Sequence, residues 1–377
     1  MRKICSLKEA CEFFRETFDA HPELDAFGTC RAALAGEKRT YSGCSIAHLA
    51  SPDDKDVPQD EYELPDISIP EPEEESLARE IIAMLAPLKL LNPVSPAFGL
   101  GKGPGTLATC FGIPLNPETC DCPAYNKSID ALLGENPPDP ATAGLLGKIH
   151  ERIAHIKTVT PDTFKIGLPD MQGPFNIFHS LVGIDAMTAP YENEDKFFRL
   201  MERVTDFWIE ARKKLVAHMG KERLTPQASH VTVCECSVNL VSPDFYRRFI
   251  LPHDRRIAEA FGPLHIHPCS GPHVFRVTLE NLPVAETEAG YIEKTAAGAI
   301  SVDEALSLIE GKDILLHIGQ ELPENREFEF IKRDFDLYRD NKRLLFGYCG
   351  MHWRKKDRYL IRDIHRKLDD YWRQNYG

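Results

Sequence analysis

No run of apolar residues in this 377-residue chain reaches the ~18 needed to cross a bilayer. Met1-Arg2-Lys3 leads into the charged Lys8 and Glu9 rather than into an apolar signal region. A cytoplasmic location, away from membranes, is therefore expected. Positive charge is in short supply too: 45 Lys plus Arg stand against 58 Asp plus Glu, a net charge of -13. Such a field repels polyanions, which argues against nucleic acid as a partner. Internal repeats are absent. The glycine-rich run from Gly99 to Thr106 lacks phosphate-loop spacing, because Lys102 is followed by Gly103 rather than by Ser or Thr. Nor do eleven cysteines make the dense framework of a small secreted domain. A reducing compartment keeps them as thiols, and metal binding becomes the question to ask of them.

What is present is the make-up of an ordinary globular protein, 42% hydrophobic and 27% charged. The length suits two domains or one extended (β/α)8 barrel, which needs ~250 residues. A helix opens the chain at Leu7 to Phe18, and the acidic, proline-rich Ser51 to Glu75 reads as an exposed loop. From about Thr163, β-rich runs alternate with amphipathic helices. The runs are Phe164 to Leu168, His230 to Cys236, Leu264 to Cys269, Val284 to Glu288, Ile314 to Ile318 and Arg343 to Cys349. The helix Asp195 to Met219 carries a core stripe that includes Phe197, Val204 and Trp208. Ser301-Val-Asp-Glu304 forms a capping box ended by Gly311, and Ser242-Pro243 opens another helix. The fold expected is an α/β (β/α)8 TIM barrel over 86–377, preceded by an irregular extension over 1–85. Its two missing strands are sought in Leu24 to Cys30 and Leu88 to Phe98.

Polar and thiol side chains recur where the strands end: Asp170, Glu235, His267 with Cys269, Glu286 with Glu288, and Cys349. In a barrel these ends share one mouth. Residues two apart on a strand face the same side, so His265, His267 and Cys269 can meet a metal. Imidazole and thiolate suit zinc, and a catalytic zinc site keeps one position open. Cys349 is the natural distant partner, with Glu235 and His265 competing for the remaining place. The plainer alternative is a satisfied strand histidine and two small buried cysteines.

Three segments carry a family resemblance: Phe164-Lys-Ile-Gly-Leu-Pro-Asp-Met-Gln-Gly-Pro174, Val241-Ser-Pro-Asp-Phe-Tyr-Arg-Arg-Phe-Ile-Leu-Pro252, and His267-x-Cys269. In order and spacing, across roughly residues 95 to 350, they resemble the uroporphyrinogen decarboxylase superfamily of (β/α)8 barrels. That superfamily contains decarboxylases and corrinoid-dependent methyltransferases. The arginine-bearing N-terminal signature of the decarboxylases is absent. The methyltransferase pattern of H-x-C plus a distant cysteine is matched by His267, Cys269 and Cys349. Where such proteins show Leu-His-x-Cys-Gly, this chain has Leu264-His-Ile-His-Pro-Cys-Ser-Gly271, and His267 is the histidine that preserves H-x-C.

The resemblance implies zinc held by His267, Cys269 and Cys349, with Glu235 at the open position until substrate arrives and Asp170 and His317 lining the pocket. It implies methyl transfer between a corrinoid (cobalamin) on a separate corrinoid-binding protein and a small donor or acceptor such as a thiol or folate. Other readings stay open: a decarboxylase-like lyase or a hydrolase using Glu286 and Glu288 as paired carboxylates, a metal-dependent hydrolase built on His265-x-His267, and a non-catalytic corrinoid- or tetrapyrrole-binding protein. Cys234-Glu-Cys236 and Cys120-Asp-Cys122 lack the C-x-x-C spacing of metal and redox pairs, and Cys234 is expected in the core. Trp353, Tyr359, Tyr371 and Trp372 suit either a homodimer contact or a packed terminal helix.

Overall fold

The computed structural model of the chain describes residues 3–26, 44–49, 65–87, 94–100, 103–115, 125–267, 272–289, 300–321, 326–338, 344–352 and 355–375, some of them by their backbone alone. The chain forms two compact units. One joins 1–98, 159–164 and 315–377; the other joins 99–158 and 165–314. Among the described residues no helix is long and apolar enough to cross a membrane.

In the first unit, Ser6 caps the helix Leu7–Asp19 by accepting from the Glu9 amide at 3.2 Å. This helix packs on Pro72–Ala83. The expected exposed loop thus ends earlier than Glu75. Pro72 is preset for a first helical turn, and Glu73, Glu74 and Glu75 complement the dipole there. Leu77, Ala78, Ile81 and Ile82 supply the buried stripe.

Three parallel strands follow, Cys44–Leu49, Leu344–His352 and Leu315–Glu321, with Leu344 opposite Leu316 and Phe346 opposite Cys44. Cys44–Leu49 was not expected. Of the two upstream candidates, the described parts give only the bridge Asp25 to Val94 and the short strand Ala97–Phe98. At the C-terminus, Tyr371 donates its hydroxyl to Asp336, and Trp372 meets Phe335 edge-on at 6.2 Å. These two aromatics pack the terminal helix Lys355–Asn375 onto Glu327–Tyr338. Trp353 and the Tyr359 side chain lie outside the described residues.

The second unit alternates strand and helix. Val231–Cys234, Leu264–His267 and Val284–Ala289 lie side by side in parallel, and Thr232, His265 and Glu286 share one register level. The helix Glu194–Met219 is capped by Asn193 and stopped by Gly220, which takes a positive φ of 82°. Phe175, Phe178, Phe197, Phe245 and Phe249 form a ring cluster against it, with centroids 4.9 to 6.3 Å apart.

The expected Ser242 cap accepts from the Phe245 amide, and Pro243 follows. The helix then widens into a π turn over Tyr246–Ile250 before continuing as Leu251–Phe261. Pro252 has no N–H to offer the preceding turn and crowds its carbonyl, and the wider turn absorbs both defects.

In the helix Val302–Ile309, Ser301 accepts from the Glu304 amide at 3.2 Å, while the Glu304 carboxylate pairs with Arg276 at 2.7 Å. Ser301→Ala is therefore expected to cost about 1 kcal/mol in chemical denaturation. Glu304→Ala, which removes a solvent-exposed ion pair, should cost clearly less.

Candidate functional site

Strand parity builds the first half of the site. Val231, Val233, Leu264 and Ile266 are buried on one face of the second unit's strands, leaving Thr232, Cys234, His265 and His267 on the other. Glu286 and Glu288 lie beside them on the next strand and are 1% and 8% exposed. A carboxylate this buried needs ionic or hydrogen-bonding partners. Glu286 takes Nδ1 of His230. Glu288 takes Nε2 of His265 at 3.1 Å and Nδ1 of His267. Burial pushes the Glu288 carboxyl up, but the two imidazoles outweigh it and hold the group well below the usual carboxylate range. The expected carboxylate pair is thus divided, each acid engaged with imidazole.

The second half surrounds Glu235, which directly follows the strand Val231–Cys234. It is 1% exposed and faces Asp254, which is fully buried. Tyr246 donates its hydroxyl to Asp254 Oδ2 at 2.8 Å. The π turn makes this contact possible. Residues eight apart on a regular helix point ~80° away from each other, and one extra residue in the turn brings them nearly into line. Burial, and then the neighbouring Asp254 charge, raise the Glu235 carboxyl well above its ordinary range. Burial likewise raises Asp254, against the lowering effect of its hydrogen bonds from Tyr246 and Glu235. Two carboxyls this close and this dry hold one proton between them. Glu235 Oε1 also accepts from the Phe175 amide at 3.4 Å. The contacts described for the Glu235 carboxyl run to Asp254, Gly173 and the Phe175 and Asn176 amides, and none to His265, His267 or Glu288.

Asp170 is exposed on the loop after Lys165–Ile166, where its carboxylate accepts from the Gln172 amide at 2.9 Å and from Gln172 Nε2 at 2.8 Å. His317 is half-buried on Leu315–Glu321 and belongs to the other unit. Cys349 stands opposite Glu321 on the backbone of Leu344–His352, with its side chain outside the described residues, as is all of Cys269. Among the described residues, no group of three or more His, Cys, Asp or Glu is arranged to hold a metal. Cys234 is half-buried rather than core and is not in a disulfide; Cys236 is disulfide-bonded, contrary to the expectation of thiols throughout. Cys120 and Cys122 lie outside the described residues.

Sequence reasoning missed Asp254 and Tyr246. The available signal was an acid two residues after a helix-interior proline.

Gly173 lets Glu235 approach, since a Cβ at that position would collide with its carboxylate. Gly173→Ala is expected to destabilise the protein by about 1–3 kcal/mol through overpacking. The cost should shrink in a Glu235→Ala background, as a double-mutant cycle in urea can measure.

No curated relative matches the chain. Residues 96–318, more than half of it, match the model of the uroporphyrinogen decarboxylase (URO-D) family. That span includes Asp170, Glu235, both strand histidines, Cys269 and His317, and stops short of Cys349. The chain belongs to the uroporphyrinogen decarboxylase family, whose fold is a TIM barrel.

Proposed function

We propose that this chain is a zinc-dependent methyltransferase, moving a methyl group between a corrinoid carried on a separate protein and a small donor or acceptor such as a thiol. The observation that best supports the reading is Glu288. It is buried and holds His267 by Nδ1, as carboxylates behind metal-binding imidazoles do, fixing ring orientation and tautomer. His265 turns Nε2 to Glu288 and lies 3.4 Å from Thr232 Oγ1 through Nδ1. His267, two residues before Cys269, is the histidine assigned to the metal.

One imidazole and two thiolates, from Cys269 and Cys349, form a donor set that suits zinc. When bound, zinc lowers the pKa of a substrate thiol enough to present a thiolate at neutral pH. The chain's own residues do the rest of the work: Glu288 orients His267, and Asp170 lines the substrate pocket.

Purified protein should contain zinc in proportion to chain, and Cys269→Ser and Cys349→Ser should each lose it. Full metal retention in both variants would overturn the assignment. Glu288→Gln keeps the shape but loses the charge, and should weaken zinc affinity by about 10–100-fold in competition with a chromogenic chelator. Incubation of the zinc-loaded protein with methylcobalamin and a thiol should bleach the alkyl-cobalt absorbance. A rate no greater than that of the zinc-stripped protein would count against methyl transfer.

A further inference from the structure

Gln172 has a φ of 52°, and among the described residues it is the only non-glycine with a positive φ. Side chains rarely adopt this conformation, and it persists only where surroundings impose it. The restraints are visible on two sides. Trp208 Nε1 donates to the Gln172 carbonyl at 2.8 Å, and Asn176 Nδ2 donates to Gln172 Oε1 at 2.5 Å. On the other side, the Gly173 amide donates to the Cys234 carbonyl at 2.7 Å, and the Glu235 carboxyl fills the space over Gly173 and takes the Phe175 amide. Asp254 backs Glu235, and Tyr246 backs Asp254.

We propose that Glu235, supported by Asp254 and Tyr246, is a positioning residue that holds the Asp170–Gly173 turn in its left-handed form and so directs the Asp170 carboxylate. Of the proposed function, the inference uses only the place of Asp170 beside substrate. Glu235 Oε2 and Asp254 Oδ1 are buried without a hydrogen-bond partner if both groups are carboxylates. One proton between them satisfies both atoms, and a protonated Glu235 stays in place as a neutral filler. The groups facing this pair are Tyr246, whose own proton is held by burial and by Asp254, the Phe175 and Asn176 amides, and Arg255 near Tyr246. Both carboxyls are raised, so the support is present while the pair keeps its proton. It is lost as pH rises through the raised range, when like charges push Glu235 away from the turn.

Trp208 touches this turn and is one of three tryptophans, so Trp353→Phe with Trp372→Phe leaves it as the sole reporter. In that background, Trp208 emission should change in one step between neutral and alkaline pH. Glu235→Gln offers an amide donor to Asp254 and no ionisable proton; it should keep the neutral-pH emission and lose the step. Glu235→Ala should show the shifted emission already at neutral pH. Should Glu235→Ala fail to fold, Gly173→Ala, which displaces the carboxyl, serves in its place. A step that persists in Glu235→Gln, or alanine-variant emission matching the parent, would overturn the proposal. Zinc content of Cys269→Ser and Cys349→Ser reports on the metal assignment separately from these emission readouts.

Discussion

A carboxylate removed from water must be surrounded by donors, and the arrangement of the second unit's strands follows from meeting that demand twice. Glu286 and Glu288 project from one strand at adjacent levels, and the neighbouring strands bring imidazoles to both. The parallel register makes this possible. A slip of one residue between Leu264–His267 and Val284–Ala289 would turn both histidines toward the apolar face and leave Glu288 buried and unpaired. The register shift between Leu264 and His265 is part of the same solution, because it sets His265 level with Glu286 while Leu264 stays level with Val284. Chemistry and architecture are specified here by the same carboxylate–imidazole contacts.

The other buried acid pair shows how a local defect is put to use. Pro252 would kink a regular helix, and the π turn before it relieves the clash. That turn also rotates Tyr246 into line with Asp254, giving the acid a hydroxyl donor in a setting from which water is excluded. Without the extra residue, Asp254 would lose the Tyr246 hydroxyl and be left with Glu235. The proline, the wide turn and the hydroxyl donor to Asp254 are thus linked by cause rather than by proximity alone.

Most of the strands could be read from the sequence because each is a short β-branched or aliphatic run bounded by turn residues and followed by a polar end. All six such runs carry a strand. Cys44–Leu49 escaped because Cys-Ser-Ile-Ala-His-Leu neither alternates nor clusters β-branched residues; pairing with Leu344–His352 makes it a strand. The start of Pro72–Ala83 was hidden by its glutamates, which read as solvent-exposed loop in composition yet serve a helix N-terminus. At the site, the histidines of Leu264–His267 and the acids of Val284–Ala289 were legible through their period of two. Their mutual pairing was not, since it depends on which strands are neighbours. Asp254 was hidden for a different reason: it lies at helical spacing on an otherwise amphipathic segment, where an acid ordinarily faces water.

The two acid clusters divide the labour of the strand ends by the face on which each lies. His265, His267, Glu286 and Glu288 occupy the face away from the apolar side of the sheet, where the buried carboxylates meet imidazoles. Glu235 comes after the last paired residue of its strand, with φ -113° and ψ 52°, and this departure from extended backbone directs it to the helix carrying Asp254. A carboxyl held there, buried and under a glycine turn, suits support of the turn better than attack on a substrate. The same residue type therefore meets two settings within one unit, and the sign of its pKa shift separates them: lowered where imidazoles pair with it, raised where burial and then another acid act on it.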